Sequence, residues 1–406
     1  MSNTLLTPTA VTREALRILH QKANFLGTIN RQYDDSFAKS GAKIGDSLKI
    51  RLPNQYSVRT GRVIDVQDTT ESSVTLQVAT QKGVDMQFTS TDLTLSLDDF
   101  SSRILEPAMS VLAAAIEADL MNMYKDVYNE VSDVAASATT SFALQVQKKL
   151  TDNLAPITPR CFNMPTQYNV DLLEAVKSQY NDQTKIAKNY REGMVAPNFL
   201  GFAEVYQNTL WPIHLTGSWA TGYLTDIAAG EDNGSAGVIN IDTGSGTFKK
   251  GDVFFIEDVF RVHPESKAST NKLQQFVVTE DNAGGNNALL KFSPSIIASG
   301  PRQNVNAAAS DGKAIYKRES DETTAIAASA DYQIGMGYHK DAFAAAFADL
   351  VMPKGVDFGA REVMDGISMR IIRDYDINND NLPCRIDVLY GYKTVRPELA
   401  CRLGLH

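Results

Sequence analysis

The sequence predicts an α+β protein that is interrupted by an all-β segment. Three features support this fold class. A stretch of about 34 residues, Asp98–Val131, has the apolar spacing of one long helix. A polar segment at 45–90 alternates as strands do, and at 221–330 helix patterns give way to short β runs separated by glycine, asparagine and serine. With 406 residues, the chain is long enough for two or three domains.

The first helix is predicted within residues 1–44. Thr12 is a candidate N-cap, because its hydroxyl can accept a hydrogen bond from a free backbone amide of the first turn. Gly27 is a candidate for the end of the helix. Between them, one face carries Ala15, Leu16, Leu19, Ala23 and Leu26.

Segment 45–90 has the pattern of a long, polar β-hairpin or loop. The predicted strands contain Leu48, Ile50 and Leu52 and then cover Val58–Val66, Val74–Ala79 and Gly83–Phe88. The segment has too few large apolar residues for a core of its own. It is therefore expected either to lie on another surface, such as a neighbouring subunit, or to form an ordinary sheet edge.

The most informative feature is a predicted strand, Thr89–Leu97, that leads directly into the long helix. Asp98 and Asp99 offer side-chain oxygens and negative charge where this helix begins. At a rise of about 1.5 Å per residue the helix would be ~50 Å long. One apolar stripe is formed by Leu105, Met109, Leu112, Ile116, Leu120, Met123, Val127 and Val131. A rod of this length suits a strut, although an ordinary long core helix would give the same pattern.

Three residues on the predicted helix need separate interpretation. Pro107 lacks a backbone N–H and would cost about 3 kcal/mol in a helix interior. We therefore expect either a kink at Pro107 or a helix that starts there with proline in its first turn. Glu117 and Asp119 are two positions apart, so they do not share a face and are expected to be solvated or ion-paired.

The segments on either side of 221–330 both show a mixture of helix and strand patterns. Before it, the predictions are a linker or loosely packed turn at Asp133–Gln147, a helix at Val170–Tyr180, a weakly periodic basic segment or loop at Lys185–Met194 and a short buried strand at Leu210–Leu215. After it, Asp341 is predicted to cap a helix that ends before Pro353 and carries Ala342, Phe343, Ala345, Ala346, Phe347 and Leu350. Strands are then predicted at Ser368–Tyr375 and Cys384–Tyr392, joined by a turn at 376–383.

Five runs within 221–330 suit strands. They are Gly237–Ile241, Asp252–Ile256, Leu273–Thr279, Ala288–Phe292 and Ala314–Lys317. Five strands in about 100 residues predict a small β-barrel or sandwich. Because the α+β style resumes afterwards, this module is expected to interrupt a parent domain.

Charge and cysteine content exclude several classes of function. A net charge of −9 argues against a broad electrostatic surface for nucleic acid. The three cysteines, Cys161, Cys384 and Cys401, are scattered without a CxxC spacing, which fits a reducing cytosol and argues against a zinc site or disulfides. We also expect neither a signal peptide nor a membrane span, since no apolar run reaches about 18 residues.

No motif predicts a catalytic, cofactor or metal site. Gly246–Gly251 has the glycine spacing of a phosphate loop, but Asp252 occupies the place of the lysine. Asp374–Asn378 matches the first positions of a calcium loop, whereas Arg385 stands where the bidentate glutamate belongs. The five histidines have no metal-ligand spacing. Cys161 is expected to be a small buried residue rather than a nucleophile.

Three stretches resemble a known family. They are residues 88–100 (FTSTDLTLSLDDF), 246–256 (GTFKKGDVFFI) and 388–400 (VLYGYKTVRPELA). Together with the order of helix, β-arm, long helix and split α+β region, they resemble tailed-phage major capsid proteins of the Hong Kong 97 fold. Within that fold the chain is similar to the coat-protein family of phage P22, which carries an inserted β-barrel.

The resemblance implies a role for each segment: an N-terminal arm at 1–44, an extended β-loop at 45–90, a peripheral domain with a spine helix at 91–150, an axial domain with peripheral-domain strands at 151–220 and 331–406, and an inserted β-barrel at 221–330. It implies a non-enzymatic subunit that needs no cofactor and forms hexamers and pentamers. Further expectations are a scaffolding protein, a portal, assembly in the host cytoplasm, and a virion shell that encloses double-stranded DNA without sequence-specific binding. The lysine–asparagine crosslink of the fold's founding member is not implied, because no motif here fixes a lysine.

The basic residues of the β-loop are candidates for contacts between subunits. We expect Arg51, Arg59, Arg62 and Lys82 to meet acidic residues of a neighbouring subunit. This expectation follows from placing the loop on a neighbour, because the loop cannot stabilise itself.

Two other classes of protein stay open at this point. A phage structural oligomer of tail-tube type also contains β-arms, but a long spine helix has no role in it. A carbohydrate-binding adhesin would use 221–330 as its binding module and would need exposed aromatic residues there. The strand-like spacing of Phe248, Phe254, Phe255 and Phe260 favours a core instead.

Overall fold

A computed structural model describes residues 8–33, 46–59, 61–64, 66–67, 71–88, 104–133, 140–176, 200–219, 222–227, 232–317, 331–356, 358–364, 366–376 and 382–405. The chain divides into two compact units. The first contains Met1–Arg51, Ser73–Met121 and Phe343–Val395, and the second contains Leu52–Ser72, Asn122–Ala342 and Arg396–His406. Three predicted features lie outside the described residues: the strand Thr89–Leu97, the residues Asp98 and Asp99 at the start of the long helix, and the segment Lys185–Met194.

The described helices are α1 (Pro8–Lys22), α2 (Asn24–Thr28), α3 (Glu106–Met121), α4 (Thr140–Asp152) and α5 (Thr166–Val176). The described strands are β1 (Asn30–Tyr33), β2 (Asp46–Arg51), β3 (Ser73–Val78), β4 (Thr80–Phe88), β5 (Glu130–Asp133), β6 (Arg160–Met164), β7 (Glu204–Gln207), β8 (Ile213–Leu215), β9 (Leu224–Thr225), β10 (Val238–Asp242), β11 (Val253–Val262), β12 (Ser269–Val278), β13 (Ala288–Ser293), β14 (Ile315–Tyr316), β15 (Asp331–His339), β16 (Phe343–Ala348), β17 (Phe358–Met364), β18 (Ile367–Arg373), β19 (Leu382–Thr394) and β20 (Ala400–Leu405).

The first unit is built on a six-stranded sheet with the order β1-β16-β19-β18-β17, in which β4 also pairs with β19. β19 is central, because it pairs with β16, β18 and β4. Helix α1 packs against β17, β18 and α3. It begins at Pro8 and not at the predicted Thr12, which is buried. Proline is favoured in a first turn, where its missing N–H would have no partner anyway.

Strand β16 shows that the helix predicted from Asp341 is wrong. This alanine-rich run pairs in parallel with β1 and antiparallel with β19, and all of its residues are buried. A strand buried on both faces lacks the apolar–polar alternation, so periodicity alone cannot separate it from a buried helix. Asp341 lies instead in a short 3-10 helix, Lys340–Ala342.

Strands β2 and β3 form an antiparallel hairpin in the first unit. Leu76 and Val78 of β3 pack against Ala344, Ala346, Ala348 and Leu389 of the sheet. The hairpin therefore uses the face of the sheet as its core. The predicted strand Val58–Val66 is wrong, because the described residues of this range form no strand. Valine-rich composition is not sufficient without a partner strand, since β-propensity depends on packing context.

The long helix is shorter than predicted. Helix α3 ends at Met121, a 3-10 helix follows at Asn122–Asp126, and Val131 lies in β5. The apolar spacing continues beyond α3 because the residues that follow it are also buried. The α-helical part begins at Glu106, so Pro107 lies in the first turn of α3. Residues 104 and 105, immediately before it, are π-helical.

The second unit contains a six-stranded sheet with the order β5-β20-β15-β6-β7, in which β8 also pairs with β15. Strands β5 to β8 precede residues 222–317 in the chain, whereas β15 and β20 follow them. The sheet is therefore completed only when the chain returns from strands β9–β14. The predicted helix at Val170–Tyr180 overlaps α5 in its described part, 170–176. The predicted strand at Leu210–Leu215 overlaps β8, but it is not a buried strand, because only His214 of β8 is buried.

The predicted linker at Asp133–Gln147 is wrong from Thr140 onward, where α4 begins. This helix buries Phe142, Ala143, Val146 and Leu150 at steps of one, three and four positions. Its small and polar residues gave the composition of a linker, but the spacing of its few apolar residues is that of one helix face.

Strands β9–β14 form a second sheet of the same unit, with the order β14-β11-β12-β13-β10-β9. Its two ends meet, because a bridge joins Leu224 to Ala314 and the Thr225 N–H donates to the Lys313 carbonyl at 2.9 Å. The sheet thus closes into a barrel, and each of the five predicted runs contributes a strand. Its interior contains Trp219, Tyr223, Ile239, Ile241, Phe248, Phe254, Ile256, Phe276, Leu290 and Phe292.

Candidate assembly surface

The hairpin of β2 and β3 continues into a loop, residues 52–72. The last ladder pair is Arg51 with Ser73, and the Leu52 N–H then donates to the Ser72 carbonyl at 2.9 Å. Beyond this point the described residues form no further strand. Regular strand pairing therefore stops at the start of this loop. Side-chain hydrogen bonds within the loop must hold its conformation instead.

Polar side chains shape the described part of this loop. The Ser57 N–H donates to Oε1 of Gln67 at 2.8 Å, and Nε2 of Gln67 donates to the Ser57 carbonyl at 2.6 Å. The guanidinium of Arg59 donates to the carbonyls of Gly61 and Val63, the latter at 3.0 Å. Side chain–backbone bonds of this kind replace the ladder bonds that the loop lacks.

The same loop exposes a group of apolar side chains. Their exposed fractions are 58% for Tyr56, 95% for Val58, 84% for Val63, 76% for Ile64 and 83% for Val66. Large exposed apolar patches on proteins often mark surfaces that bind a partner. The described part of the loop combines internal polar bonds with exposed apolar side chains, which makes it a candidate binding surface.

Three of the four predicted contact residues are exposed: Arg51, Arg59 and Arg62. Lys82 has a different environment. Its ammonium lies 2.7 Å from the Asp119 carboxylate and donates to the Ala115 carbonyl at 3.1 Å, so it joins β4 to α3 within the first unit.

The predicted core residues of the long helix are buried. Leu105, Met109, Leu112, Ile116 and Leu120 are at most 2% exposed in the first unit, and Met123 and Val127 are likewise buried in the second unit.

Glu117 and Asp119 of α3 have different partners. Asp119 is ion-paired with Lys82, and it also accepts a hydrogen bond from the Tyr390 hydroxyl at 2.6 Å. Glu117 is buried, and its Oε1 accepts a hydrogen bond from the Phe25 N–H at 2.6 Å. Glu117 thus supplies the acceptor that the N-terminus of α2 lacks, a role that its spacing in α3 could not indicate.

The residues that resemble enzyme motifs have structural environments. Burial raises the pKa of the Cys161 thiol to about 12, and the thiol donates to Glu204. A thiol with this pKa is not a nucleophile at neutral pH. Gly246–Gly251 belongs to the connection that precedes β11. The described ranges contain no group of His, Cys, Asp or Glu side chains that could hold a metal ion. None of the helices described has the length and apolar character needed to cross a bilayer.

The sequence model of the P22 coat protein, gene protein 5, matches residues 28–403. The chain belongs to the P22 coat-protein family. It is therefore a major capsid protein, which self-assembles into the shell of a phage and is part of the virion. Of the open alternatives, the tail-tube class is excluded by this match. The exposed aromatic residues that an adhesin would need are not found at these positions, since Phe248, Phe254 and Phe255 are buried and Phe260 is half-buried.

Solved structures of phage and virus-like particles resemble this coat protein over nearly its whole length. A Mycobacterium phage Che8 structure has 13% identity and a TM-score of 0.47, covering 94% of this chain and 90% of that chain. The bacteriophage PhiM1 mature capsid has 10% identity and a TM-score of 0.44, covering 94% and 87%. The virus-like particle from Pyrococcus furiosus has 8% identity and a TM-score of 0.40, covering 97% and 98%. These scores are too low to support an argument, so the family assignment is based on the sequence match. No curated protein matches the sequence.

Proposed function

We propose that this coat protein has the subdomain organisation of the Hong Kong 97 fold. In this assignment residues 1–44 are the N-terminal arm, 45–90 the extended loop, 91–150 the peripheral domain with α3 in its spine, 151–220 and 331–406 the axial domain with peripheral-domain strands, and 221–330 the insertion domain. The barrel of β9–β14 supports the last assignment, because its sheet is closed on itself. In the sequence it is inserted between β5–β8 and β15, which all belong to one other sheet.

The loop at 52–72 is the part of the subunit that contacts a neighbouring copy in this proposal. The observation that carries it is the exposure of Val58, Val63, Ile64 and Val66 on a loop whose internal polar bonds are already made. Burying one such side chain against a neighbour contributes about 1.5–3 kcal/mol. Arg51 and Arg62 lie at the edge of this contact and pair with acidic residues of the neighbour. Each such pair contributes about 0–1 kcal/mol, because exposed ion pairs are screened.

Weak individual contacts suit the assembly of a closed shell. One chain must occupy the non-identical positions of hexamers and pentamers, and reversible contacts allow misplaced subunits to leave. In the proposed pathway the protein assembles in the host cytoplasm with a scaffolding protein and a portal and then encloses double-stranded DNA. The net charge of −9 supports enclosure without sequence-specific binding, because an acidic shell does not trap the incoming DNA. No catalytic step is part of this role.

Substitution of the most exposed loop residues tests the assembly role. We expect the double variant Val63→Ser/Ile64→Ser, expressed together with the scaffolding protein of the same phage, to give at least about tenfold fewer shells. The soluble subunits should keep the circular dichroism of the wild type, since the exposed side chains support no core. Sedimentation and electron microscopy measure both fractions. A deletion should be restricted to 54–71, because Leu76 and Val78 of β3 belong to the core.

Two control variants separate the loop from general effects on the surface. Val351→Ser changes a residue outside the loop that is 55% exposed and should leave the yield of shells unchanged. Arg51→Ala/Arg62→Ala should reduce the yield by less than about fivefold, because exposed ion pairs are weak. Normal shells from the Val63→Ser/Ile64→Ser variant would contradict the proposed role of the loop.

A further inference from the structure

A buried polar network joins the barrel to the sheet of the second unit. His214 of β8 is its centre, with Nδ1 3.0 Å from the Tyr124 hydroxyl and Nε2 3.0 Å from Oδ1 of Asp252. All three side chains are buried. Tyr124 and His214 precede the barrel, whereas Asp252 lies immediately before β11 of the barrel. The histidine therefore bridges the two structures.

Both ring nitrogens of His214 are hydrogen-bonded. A carboxylate oxygen accepts, so Nε2 of His214 donates to Oδ1 of Asp252. Oδ2 of Asp252 accepts in turn from the Gly217 and Lys249 N–H groups at 3.0 and 2.9 Å. Burial raises the pKa of Tyr124 to about 12, so its phenol stays protonated beside Nδ1. Every side-chain polar atom of Tyr124, His214 and Asp252 therefore has a partner.

A second set of polar contacts joins β12 of the barrel to β5 of the sheet. Oε1 of Gln275 accepts from the Glu130 N–H at 3.0 Å, and Nε2 of Gln275 donates to the Glu130 carbonyl at 2.9 Å. Lys149 of α4 donates to the same carbonyl at 2.8 Å. The Glu130 carboxylate contacts the guanidinium of Arg402, which is fully buried, and accepts from the Tyr332 hydroxyl at 3.3 Å.

Among the described residues, a buried apolar cluster of Tyr128, Val253 and Val277 also lies at this joint and is separate from the barrel interior. The barrel thus has a core of its own, and directional polar bonds join it to the sheet.

We propose that this network is a latch, which holds the barrel at one angle to the sheet and opens as a unit while barrel and sheet stay folded. Directional bonds define a single closed geometry, which an apolar contact would not do. They also contribute little net free energy, because burial of an ion pair removes its hydration and each group regains water when the joint opens. The free-energy difference between the closed and open states is therefore far smaller than the free energy of unfolding. This inference does not depend on the proposed subdomain roles.

Hydrogen exchange of the purified full-length protein tests the latch. Tyr124→Phe removes one hydroxyl and keeps the ring, and Gln275→Leu removes both amide contacts at similar volume. We expect each variant to exchange at least about tenfold faster in the peptide covering 128–133, because opening of the joint exposes the Glu130 N–H, which donates to Gln275 of the barrel. Strands β10 and β13 of the barrel should exchange within about twofold of the wild-type rate.

The double variant and a matched control make the test specific. If one latch opens as a unit, the acceleration in Tyr124→Phe/Gln275→Leu is smaller than the product of the two single effects. Tyr206→Phe removes a comparable bond, from the Tyr206 hydroxyl to Glu204 at 3.1 Å, outside the joint and should leave exchange at the joint unchanged. Two results would overturn the proposal: wild-type exchange at the joint in both single variants, or equal acceleration in β10 and β13.

Discussion

The backbone of Gln77 passes directly over Gly391. A Cβ atom built on Gly391 would lie 2.1 Å from the Gln77 carbonyl oxygen and 2.9 Å from Cα of Val78. Since backbone atoms cannot move aside as a flexible side chain can, residue 391 must be glycine for β3 to cross β19 at this distance. The crossing places Leu76 and Val78 against the alanines of β16 and thereby fixes the hairpin on the sheet.

Gly391→Ala should separate the hairpin from the sheet. We expect the free energy of unfolding to fall by about 1–3 kcal/mol, because the added methyl group overpacks the crossing. Urea denaturation measures this loss, and hydrogen exchange should locate it in β2 and β3. Gly27→Ala is the matched control, since a Cβ at Gly27 meets nothing within 4 Å. In a helix this control should be neutral or stabilising by up to about 1 kcal/mol. Equal stability of Gly391→Ala and wild type would contradict the steric argument.

The sequence predicts those elements in which apolar and polar residues alternate and those that are separated by turn residues. The barrel strands were predictable because each predicted run is short, has the length of a strand and is separated from the next by residues typical of turns. β16 was not, because a strand buried on both faces carries no periodic signal. The length of α3 was overestimated for a related reason, since residues after Met121 are buried by tertiary packing at helix-like spacing.

The sequence indicates which segment forms the candidate surface, but it does not indicate which contacts the side chains of that segment make. The shortage of apolar core residues in 45–90 indicated an interaction surface. Sequence spacing could not show that Lys82 pairs with Asp119, which is 37 positions away (119 minus 82), or that Arg59 bonds to the loop itself. The network around His214 was missed because Tyr124 and Asp252 are 90 and 38 positions from it. Contacts at such distances depend on topology, which local patterns do not encode.

Glu117→Ala should destabilise the first unit. The Glu117 carboxylate accepts from the buried Phe25 N–H, and α2 has no side-chain cap of its own. The variant loses a buried hydrogen bond to a charged group, which costs about 1.5–3 kcal/mol. Glu117→Gln keeps an oxygen acceptor and should lose less. Glu14→Ala, which removes an exposed pair with Arg17, should cost no more than about 1 kcal/mol. Denaturation curves of the three variants check this order, and an equal loss in all of them would refute it.

The three cysteines should be unreactive in the folded protein. Burial raises the pKa of each thiol, Cys161, Cys384 and Cys401, to about 12. At pH 8 the thiolate fraction is then roughly a thousandfold smaller than for a free cysteine, and access is blocked as well. We expect a thiol reagent such as dithionitrobenzoate to label the protein only on unfolding in urea, when all three thiols react. Rapid labelling of any cysteine under native conditions would show that its surroundings open.

Asp387 should make the stability of the first unit depend on pH. Its buried carboxylate accepts from Nη2 of Arg370 at 2.7 Å and Nε of Arg385 at 2.8 Å. Burial alone would raise the pKa of Asp387, but the two guanidinium groups outweigh it and hold this pKa below its ordinary value of 3.8. The folded state therefore binds the proton less readily than the unfolded chain. Its stabilising contribution is complete above the ordinary pKa and is lost as the pH falls through the lower pKa of the folded state.

Comparison of Asp387→Asn with wild type at several pH values tests this assignment. At pH 7 the variant should be less stable by about 1.5–3 kcal/mol, the usual contribution of hydrogen bonds to a charged group. The difference should shrink between about pH 5 and pH 3, because the protonated wild-type carboxyl then resembles the amide. Asp281→Asn is the control: its pKa is also lowered, but its pair with Lys249 is exposed, so it should cost much less. A difference for Asp387→Asn that stays constant down to pH 3 would assign the effect to packing and not to charge.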